Sequence, residues 1–129
     1  MAHQLDARQL LRSRRLLIVQ SDPLLREALA RYFRRLAGIV SVAGSEAEAD
    51  AVFADSCRSP TDLICGQEFG EGEPLGTTLI AKWRSRYASL RRVVLATGAF
   101  ALPSQLPGVD ALVRKPASVT DIVAQLLAI

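Results

Sequence analysis

Residues 16–23 read LLIVQSDP and join a short apolar run to the start of a helix. The run at 16–19 has no alternation of polar and apolar residues, which is typical of a strand with both faces covered. Asp22 is a good helix N-cap and Pro23 suits the first helical position, and apolar residues then follow at helical spacing. This stretch therefore predicts a buried strand that leads directly into a helix.

The same alternation recurs along the chain. Strands are predicted at Leu16–Val19, Ile39–Val42, Leu63–Cys65, Arg92–Ala96 and Ala111–Val113. Helices are predicted at 23–36, at 45–55 and 118–127 behind capping boxes, and at 77–87. Two prolines, Pro103 and Pro107, leave room only for a shortened fourth helix. Strands alternating with helices predict an α/β fold, a doubly wound five-stranded parallel sheet flanked by helices in a flavodoxin-like (βα)5 order.

Length and composition bound the class of protein. A chain of 129 residues is expected to form one domain at 15–129, behind a polar leader at 1–14 whose leucines predict a short helix. The leader lacks the apolar core of a signal peptide, and no apolar run approaches the length of a membrane span, so a cytoplasmic protein is expected. Cys57 and Cys65 fit neither a disulfide framework nor a zinc site.

The charge is modest but unevenly placed. The formal net charge is +3, and eight of the fourteen arginines lie before residue 36. A basic front end attracts nucleic acid or acidic proteins. No aromatic residues interleave with these arginines as stacking platforms, so a solvated helix face is expected and nucleic acid is not expected as a partner.

Polar residues follow four of the predicted strands. They are Gln20-Ser21-Asp22, Gln67-Glu68, Thr97-Gly98 and Lys115-Pro116. In parallel α/β sheets, ligands bind at the carboxyl ends of the strands. These residues are therefore the candidate site.

At these strand ends the sequence resembles the response-regulator receiver family, whose best-known members are the chemotaxis regulators. The resemblance covers about residues 14–129 and depends on the order of several weak motifs: LLIVQSDP, Asp62 to Gln67, Val93 to Gly98, and VRKP at 113–116. It implies the receiver fold and a role in two-component signal transduction or a phosphorelay.

The departures from the family pattern bear on function. Gln20 and Ser21 stand at the positions of the metal-binding acids, and Gln67 stands at the position of the phosphoacceptor aspartate. Neutral groups offset none of the charge of Mg²⁺, and an amide forms no acyl phosphate. Leu112 occupies the position of the family's switch aromatic. The sequence therefore indicates a degenerate pseudo-receiver with no metal, no cofactor and no enzymatic activity.

Some pocket residues of the family pattern are retained. Thr97 and Lys115 match residues that contact phosphate in the family. Here the Thr97 hydroxyl is expected to form a hydrogen bond with a loop amide. Lys115 is expected to form an ion pair with Asp22 or Glu68, or alternatively to mark a residual anion site. Asp22 and Glu68 join Glu71 and Glu73 in an acid-rich rim. A weak divalent site using Asp22 and Glu68 stays open as an alternative.

The leading hypothesis is a protein-binding module. Its partner would be a sensor kinase, a phosphotransfer protein, an output protein or a second copy in a homodimer. Candidates for an exposed patch near the fourth and fifth helices, some of them expected in the core, are Leu102, Leu106, Val109, Ile122 and Leu126. One alternative is phosphorylation on a displaced acid, Asp22 or Glu68. A second is a flavodoxin-like domain that binds a small ligand, although this sequence shows no recognisable phosphate cradle. A third is nucleic-acid binding through the basic front end.

Overall fold

The structure is a computed structural model that describes residues 14–35, 38–98, 106–114, 121–122 and 124–125. The strands are β1 Arg15–Val19, β2 Ile39–Ala43, β3 Asp62–Gly66, β4 Arg92–Thr97 and β5 Ala111–Arg114. Within the described residues, the helices between the strands are α1 Pro23–Phe33, α2 Glu46–Ala54 and α3 Gly76–Arg86. Asp121, Ile122, Ala124 and Gln125 are also helical. Residues 1–13 of the leader, residues 99–105 of the predicted fourth-helix segment and Lys115 lie outside the described residues.

The five strands form one parallel sheet in the order β2-β1-β3-β4-β5. The apolar side chains of α1 and Ile122 pack in one core cluster, and those of α2 and α3 pack in another. The two clusters contain alternate residues of β1, such as Leu16 and Leu17, because successive side chains of a strand point to opposite faces. The predicted doubly wound sheet is confirmed, and the strand order reverses between β1 and β3.

Local capping accounts for two helix starts. The Asp22 carboxylate accepts hydrogen bonds from the backbone N–H groups of Leu24 at 2.9 Å and Leu25 at 3.5 Å. At α2 the Ser45 hydroxyl accepts from the Glu48 N–H at 3.3 Å. The Glu48 carboxylate accepts from Gly44 instead of Ser45, so this capping box is shifted by one residue.

The predicted exposed patch needs correction. Leu106 and Val109 are partly buried against the cluster beneath α3, and Ile122 is only 3% exposed. The reason is the turn before β5, which folds back onto α3: the Arg84 guanidinium donates to the Gly108 carbonyl at 3.2 Å. Leu102 and Leu126 lie outside the described residues. Of the described candidates, Ile122 is therefore a core residue, as was expected of some of them, while Leu106 and Val109 keep part of their surface exposed.

Candidate functional site

The ends of β1, β3 and β4 enclose a cavity of about 260 Å³. Its lining consists of Gln20, Ser21, Asp22, Gln67, Glu68, Ala96, Thr97 and Gly98. The fold therefore brings together the sequence-predicted residues of three strand ends. The cavity lies where the strand order reverses, as expected for a parallel α/β sheet.

The backbone of Gln20 is held by two hydrogen bonds, and its side chain is buried. Its N–H donates to Ala43 at 3.0 Å, and its carbonyl accepts from the Arg26 guanidinium at 2.8 Å. The residue is 3% exposed, and its Nε2 has no hydrogen-bond acceptor among the described residues. The amide lies against Gly66, where an added Cβ would come within 3.0 Å of it. A neutral amide is therefore buried at the end of β1.

Ser21 and Asp22 are engaged in local hydrogen bonds. The Ser21 hydroxyl donates to the Glu68 carbonyl at 2.9 Å, which ties the end of β1 to the end of β3. The Asp22 carboxylate caps α1, so one of its oxygens already receives backbone N–H groups. Glu68 is exposed.

This donor set does not fit Mg²⁺, which the receiver resemblance implies. The metal requires hard anionic oxygens in octahedral geometry. Gln20 and Ser21 bring no charge, and the Ser21 hydroxyl is used on a backbone carbonyl. In the described parts of the chain, no group of three or more His, Cys, Asp and Glu side chains is placed to hold a metal ion.

Gln67 caps helix α3 from the end of β3. Its backbone carbonyl accepts from the Gly76 N–H at 2.8 Å, and its side-chain Oε1 accepts from the Thr77 N–H at 2.9 Å. Its Nε2 lies 3.4 Å from the Thr77 hydroxyl, to which it donates. The N-cap residue of α3, Leu75, offers no side-chain acceptor. The sequence predicted this helix from residue 77 and did not indicate the cap, which joins side chain and backbone ten residues apart.

The start of α3 lies unusually close to the strand. A Cβ at Gly76 would stand 1.9 Å from the Gly66 carbonyl oxygen, so only glycine fits there. This close approach brings the first N–H groups of α3 within reach of Gln67.

The remaining candidates occupy defined places. Thr97 ends β4 and is 3% exposed. Leu112 is partly buried against the α3-side cluster. Cys65 is buried, and burial raises the pKa of its thiol far above the usual range.

Asp62 begins β3 at the opposite edge of the sheet and was not singled out by the sequence analysis. It is 1% exposed, accepts from the Thr61 hydroxyl at 2.7 Å and pairs with Arg14 at 3.1 Å. Burial raises the pKa of this carboxyl more than the Thr61 hydrogen bond and the nearby arginines lower it. Asp62 and Arg14 therefore form a structural ion pair at the amino edge of the sheet, where the strands begin.

Solved structures share this architecture. A response regulator receiver domain protein (CheY-like) from Methanospirillum hungatei JF-1 is 20% identical with a TM-score of 0.75, over 88% of this chain and 90% of that one. The signal receiver domain of an HD domain-containing protein from Pseudomonas fluorescens Pf-5 is 20% identical with a TM-score of 0.76, over 89% and 92%. The chain has the receiver fold.

A third receiver-fold neighbour comes from Burkholderia pseudomallei. It is a response regulator described with a phosphorylated aspartic acid, a calcium ion and citrate, and it is 23% identical with a TM-score of 0.71, over 86% of this chain and 65% of that one. No protein-family model matches the sequence, and no curated protein sequence matches it. No helix within the described residues is long and apolar enough to span a membrane.

Proposed function

We propose that this chain is a degenerate receiver domain that works in the cytoplasm as a protein-binding module of two-component-type signalling, independently of phosphorylation. The observation that carries this proposal is Gln67. It stands at the phosphoacceptor position of the receiver pattern, and its amide is spent on capping α3.

The chemistry supports loss of phosphorylation. An aspartyl phosphate forms when a carboxylate oxygen attacks phosphorus, and the amide of Gln67 is a poor nucleophile that yields no stable acyl phosphate. The nearby acids are poor substitutes: Asp22 caps α1, and the Glu68 side chain is exposed. We therefore propose that neither acid is phosphorylated, although both line the strand-end cavity.

The loop between β3 and α3 supports a single working state. Gln67 bonds both Gly76 and Thr77, so the start of α3 is held to the strand without a ligand. Leu112 offers no hydroxyl or aromatic ring to couple to Thr97. A domain in one state is suited to presenting a constant docking surface.

The rim of the cavity supports docking of a protein partner. Leu24 is 82% exposed and Leu75 is 48% exposed, and both follow strands at the carboxyl edge of the sheet. The acids Glu68, Glu71 and Glu73 are exposed at the same edge. A sensor kinase, phosphotransfer or output protein with an apolar surface and basic neighbours would complement this rim, and self-association stays the second option.

The experiment is a titration of the chain with Mg²⁺ and beryllofluoride, followed by two-dimensional NMR. The expected result is no saturable shift at Gln20, Gln67 or Thr97. The matched control restores three acids in one variant, Gln20→Asp/Ser21→Asp/Gln67→Asp, and is expected to respond. Saturable shifts in the native chain, clustered at the strand ends, would overturn the proposal.

A further inference from the structure

Charged side chains segregate to the two edges of the sheet. Strands run one way and helices run back, so strand starts and helix C-terminal ends share the amino edge. The arginines at this edge are Arg14, Arg15, Arg31, Arg34, Arg35, Arg58, Arg84, Arg86, Arg91 and Arg92. The aspartates at this edge are Asp55, Asp62 and Asp110. The acids Glu46, Glu48, Glu68, Glu71 and Glu73 lie at the carboxyl edge instead.

The aspartates of the amino edge are already paired. Asp62 holds Arg14 at 3.1 Å, Asp55 holds Arg58 at 2.8 Å and Asp110 holds Arg84 at 2.8 Å. These three pairs therefore neutralise only part of the positive charge.

Other arginines of this edge stay exposed. Arg31, Arg35, Arg86 and Arg91 are exposed, with no ion pair within 4 Å in the part of the chain that the structure describes. Arg34 makes only a long 3.7 Å contact with Glu27, in which both side chains are more than half exposed. We call Arg31, Arg34, Arg35, Arg86 and Arg91 the arginine edge.

Strand pairing places this charge across a broad surface. The Thr61 N–H donates to Arg15 at 2.8 Å, and the Arg91 N–H donates to Thr61 at 2.7 Å. Arg15 and Arg91 therefore flank Thr61 on neighbouring strands, about 10 Å apart. Arg34 and Arg35 follow α1 on one face of the sheet, and Arg86 ends α3 on the other. The arrangement is a wide cationic surface and not a pocket for one anion.

We propose that the arginine edge binds the phosphate backbone of double-stranded nucleic acid without reading its sequence. The chain uses fourteen arginines and two lysines, and the planar guanidinium matches phosphate oxygens in a bidentate way. A repeated charge over a broad surface fits a repeated phosphate. Tyr32 is the one aromatic residue classed as exposed in the described ranges, at 38%, so base stacking on a single strand is less favoured than backbone contact. This surface lies opposite the strand-end cavity, so the two proposals can fail separately.

The test is fluorescence anisotropy of a labelled duplex of about 20 base pairs, titrated with the whole chain over a range of KCl concentrations. We expect weak binding, with a Kd of roughly 1–100 μM near physiological salt, and equal affinity for two unrelated sequences. The affinity should fall steeply with salt, because each phosphate contact adds about −0.9 to the log–log slope. The variant Arg35→Gln/Arg91→Gln should make that slope shallower by about 2.

Two matched variants separate the surface from the net charge. Adding Glu71→Gln/Glu73→Gln to the arginine variant restores the native net charge at the opposite edge, and it should bind as weakly as the arginine variant. Arg35→Lys/Arg91→Lys keeps the charge and should retain most of the salt slope with reduced affinity. Circular dichroism checks that each variant is folded.

Several results would overturn the inference. They are no binding at 50 mM KCl or below (about a 14 Å Debye length), unchanged affinity in Arg35→Gln/Arg91→Gln, and recovery of binding by the charge-restored variant. Tighter binding to a polyglutamate peptide or to phosphatidylserine vesicles than to the duplex would assign the surface to an acidic protein or a membrane instead.

Discussion

Gln67, which we propose stands in place of a phosphoacceptor, stabilises local structure at the end of β3. Its side-chain oxygen takes the Thr77 N–H that Leu75 leaves without a cap. Loss of such a cap typically costs about 1 kcal/mol. Asp62 behaves differently, since its burial opposes ionisation even beside Arg14. The hydrogen bonds and the burial of single side chains therefore determine which polar groups at the two edges of the sheet are free to bind a ligand or to ionise.

The residue-scale prediction concerns Gly76→Ala. The added Cβ would collide with the Gly66 carbonyl oxygen, at 1.9 Å in the present backbone, and α3 would have to move away from β3. We expect the free energy of unfolding to fall by about 2–3 kcal/mol, as for other overpacked sites. Urea denaturation followed by Trp83 fluorescence measures it.

The control is Thr78→Ala, on the exposed side of the same helix. It should change the free energy of unfolding by less than about 0.5 kcal/mol. Equal stability of the native chain and Gly76→Ala would show that α3 does not need its close approach to β3.

At the scale of elements, α2 and α3 are joined by a network around Asp50. Lys82 lies 3.1 Å from Asp50 and also pairs with Glu46, and the Trp83 indole N–H donates to Asp50 at 2.9 Å. Burial raises the pKa of Asp50, but the hydrogen bonds from Trp83 and Lys82 together lower it below the ordinary value of 3.8. For Lys82 the signs are reversed. Burial lowers the pKa of its ammonium group, but its carboxylate partners Glu46 and Asp50 raise the pKa by more, so that it lies above the ordinary value.

The prediction at this scale is a pH-dependent effect of Asp50→Asn. A lowered folded-state pKa means that Asp50 stabilises the fold above its unfolded pKa and that this stabilisation is lost as pH falls through the folded pKa. We expect the variant to be less stable by about 0.5–1 kcal/mol at pH 7, because the network is partly exposed. The difference should shrink as pH falls below 3.8 and through the lowered folded-state pKa of Asp50.

Urea denaturation at a series of pH values measures this difference. Glu73→Gln, which removes one negative charge from the exposed loop, is the control for the charge change. A stability loss in Asp50→Asn that persists unchanged at acid pH would mean that ionisation of Asp50 is not its cause.

At the scale of the whole molecule, the fold makes a charge dipole from a nearly balanced sequence. The net charge is only +3, yet ten of the twelve described arginines lie at the amino edge, with Arg26 and Arg114 at the other, and most described glutamates lie at the carboxyl edge. Like charges crowded on one surface repel each other and oppose folding, and salt screens that repulsion. A surface of this kind lowers the free energy of unfolding of the unbound protein.

The whole-molecule prediction is that Arg35→Gln is more stable than the native chain at low salt, whereas Arg91→Gln would also remove an attraction to the buried Asp62 carboxylate. Relief of repulsion should raise the free energy of unfolding by about 0.5 kcal/mol in 10 mM KCl, and the gain should fade as salt reaches the range in which the Debye length is about 8 Å. Chemical denaturation at several KCl concentrations measures it. A gain that does not depend on salt would exclude charge repulsion as its source.

The sequence by itself determined the elements. The apolar run at 16–19, the Asp22 cap and Pro23 act through neighbouring residues, so β1 and the start of α1 could be predicted to within one residue, whereas the helix ends at Phe33 and not at the predicted residue 36. The parallel sheet followed from the alternation of elements, and the meeting of Gln20, Gln67 and Thr97 followed from the rule for strand ends.

Only the tertiary structure decided how distant residues share a surface. The Gln67 cap depends on α3 returning to β3, and the burial of Leu106 and Val109 depends on the turn that Arg84 holds. The arginine edge gathers Arg35 and Arg91, which are far apart in sequence. These outcomes rest on contacts between elements, and no local pattern of residue types encodes the pairing that brings those elements together.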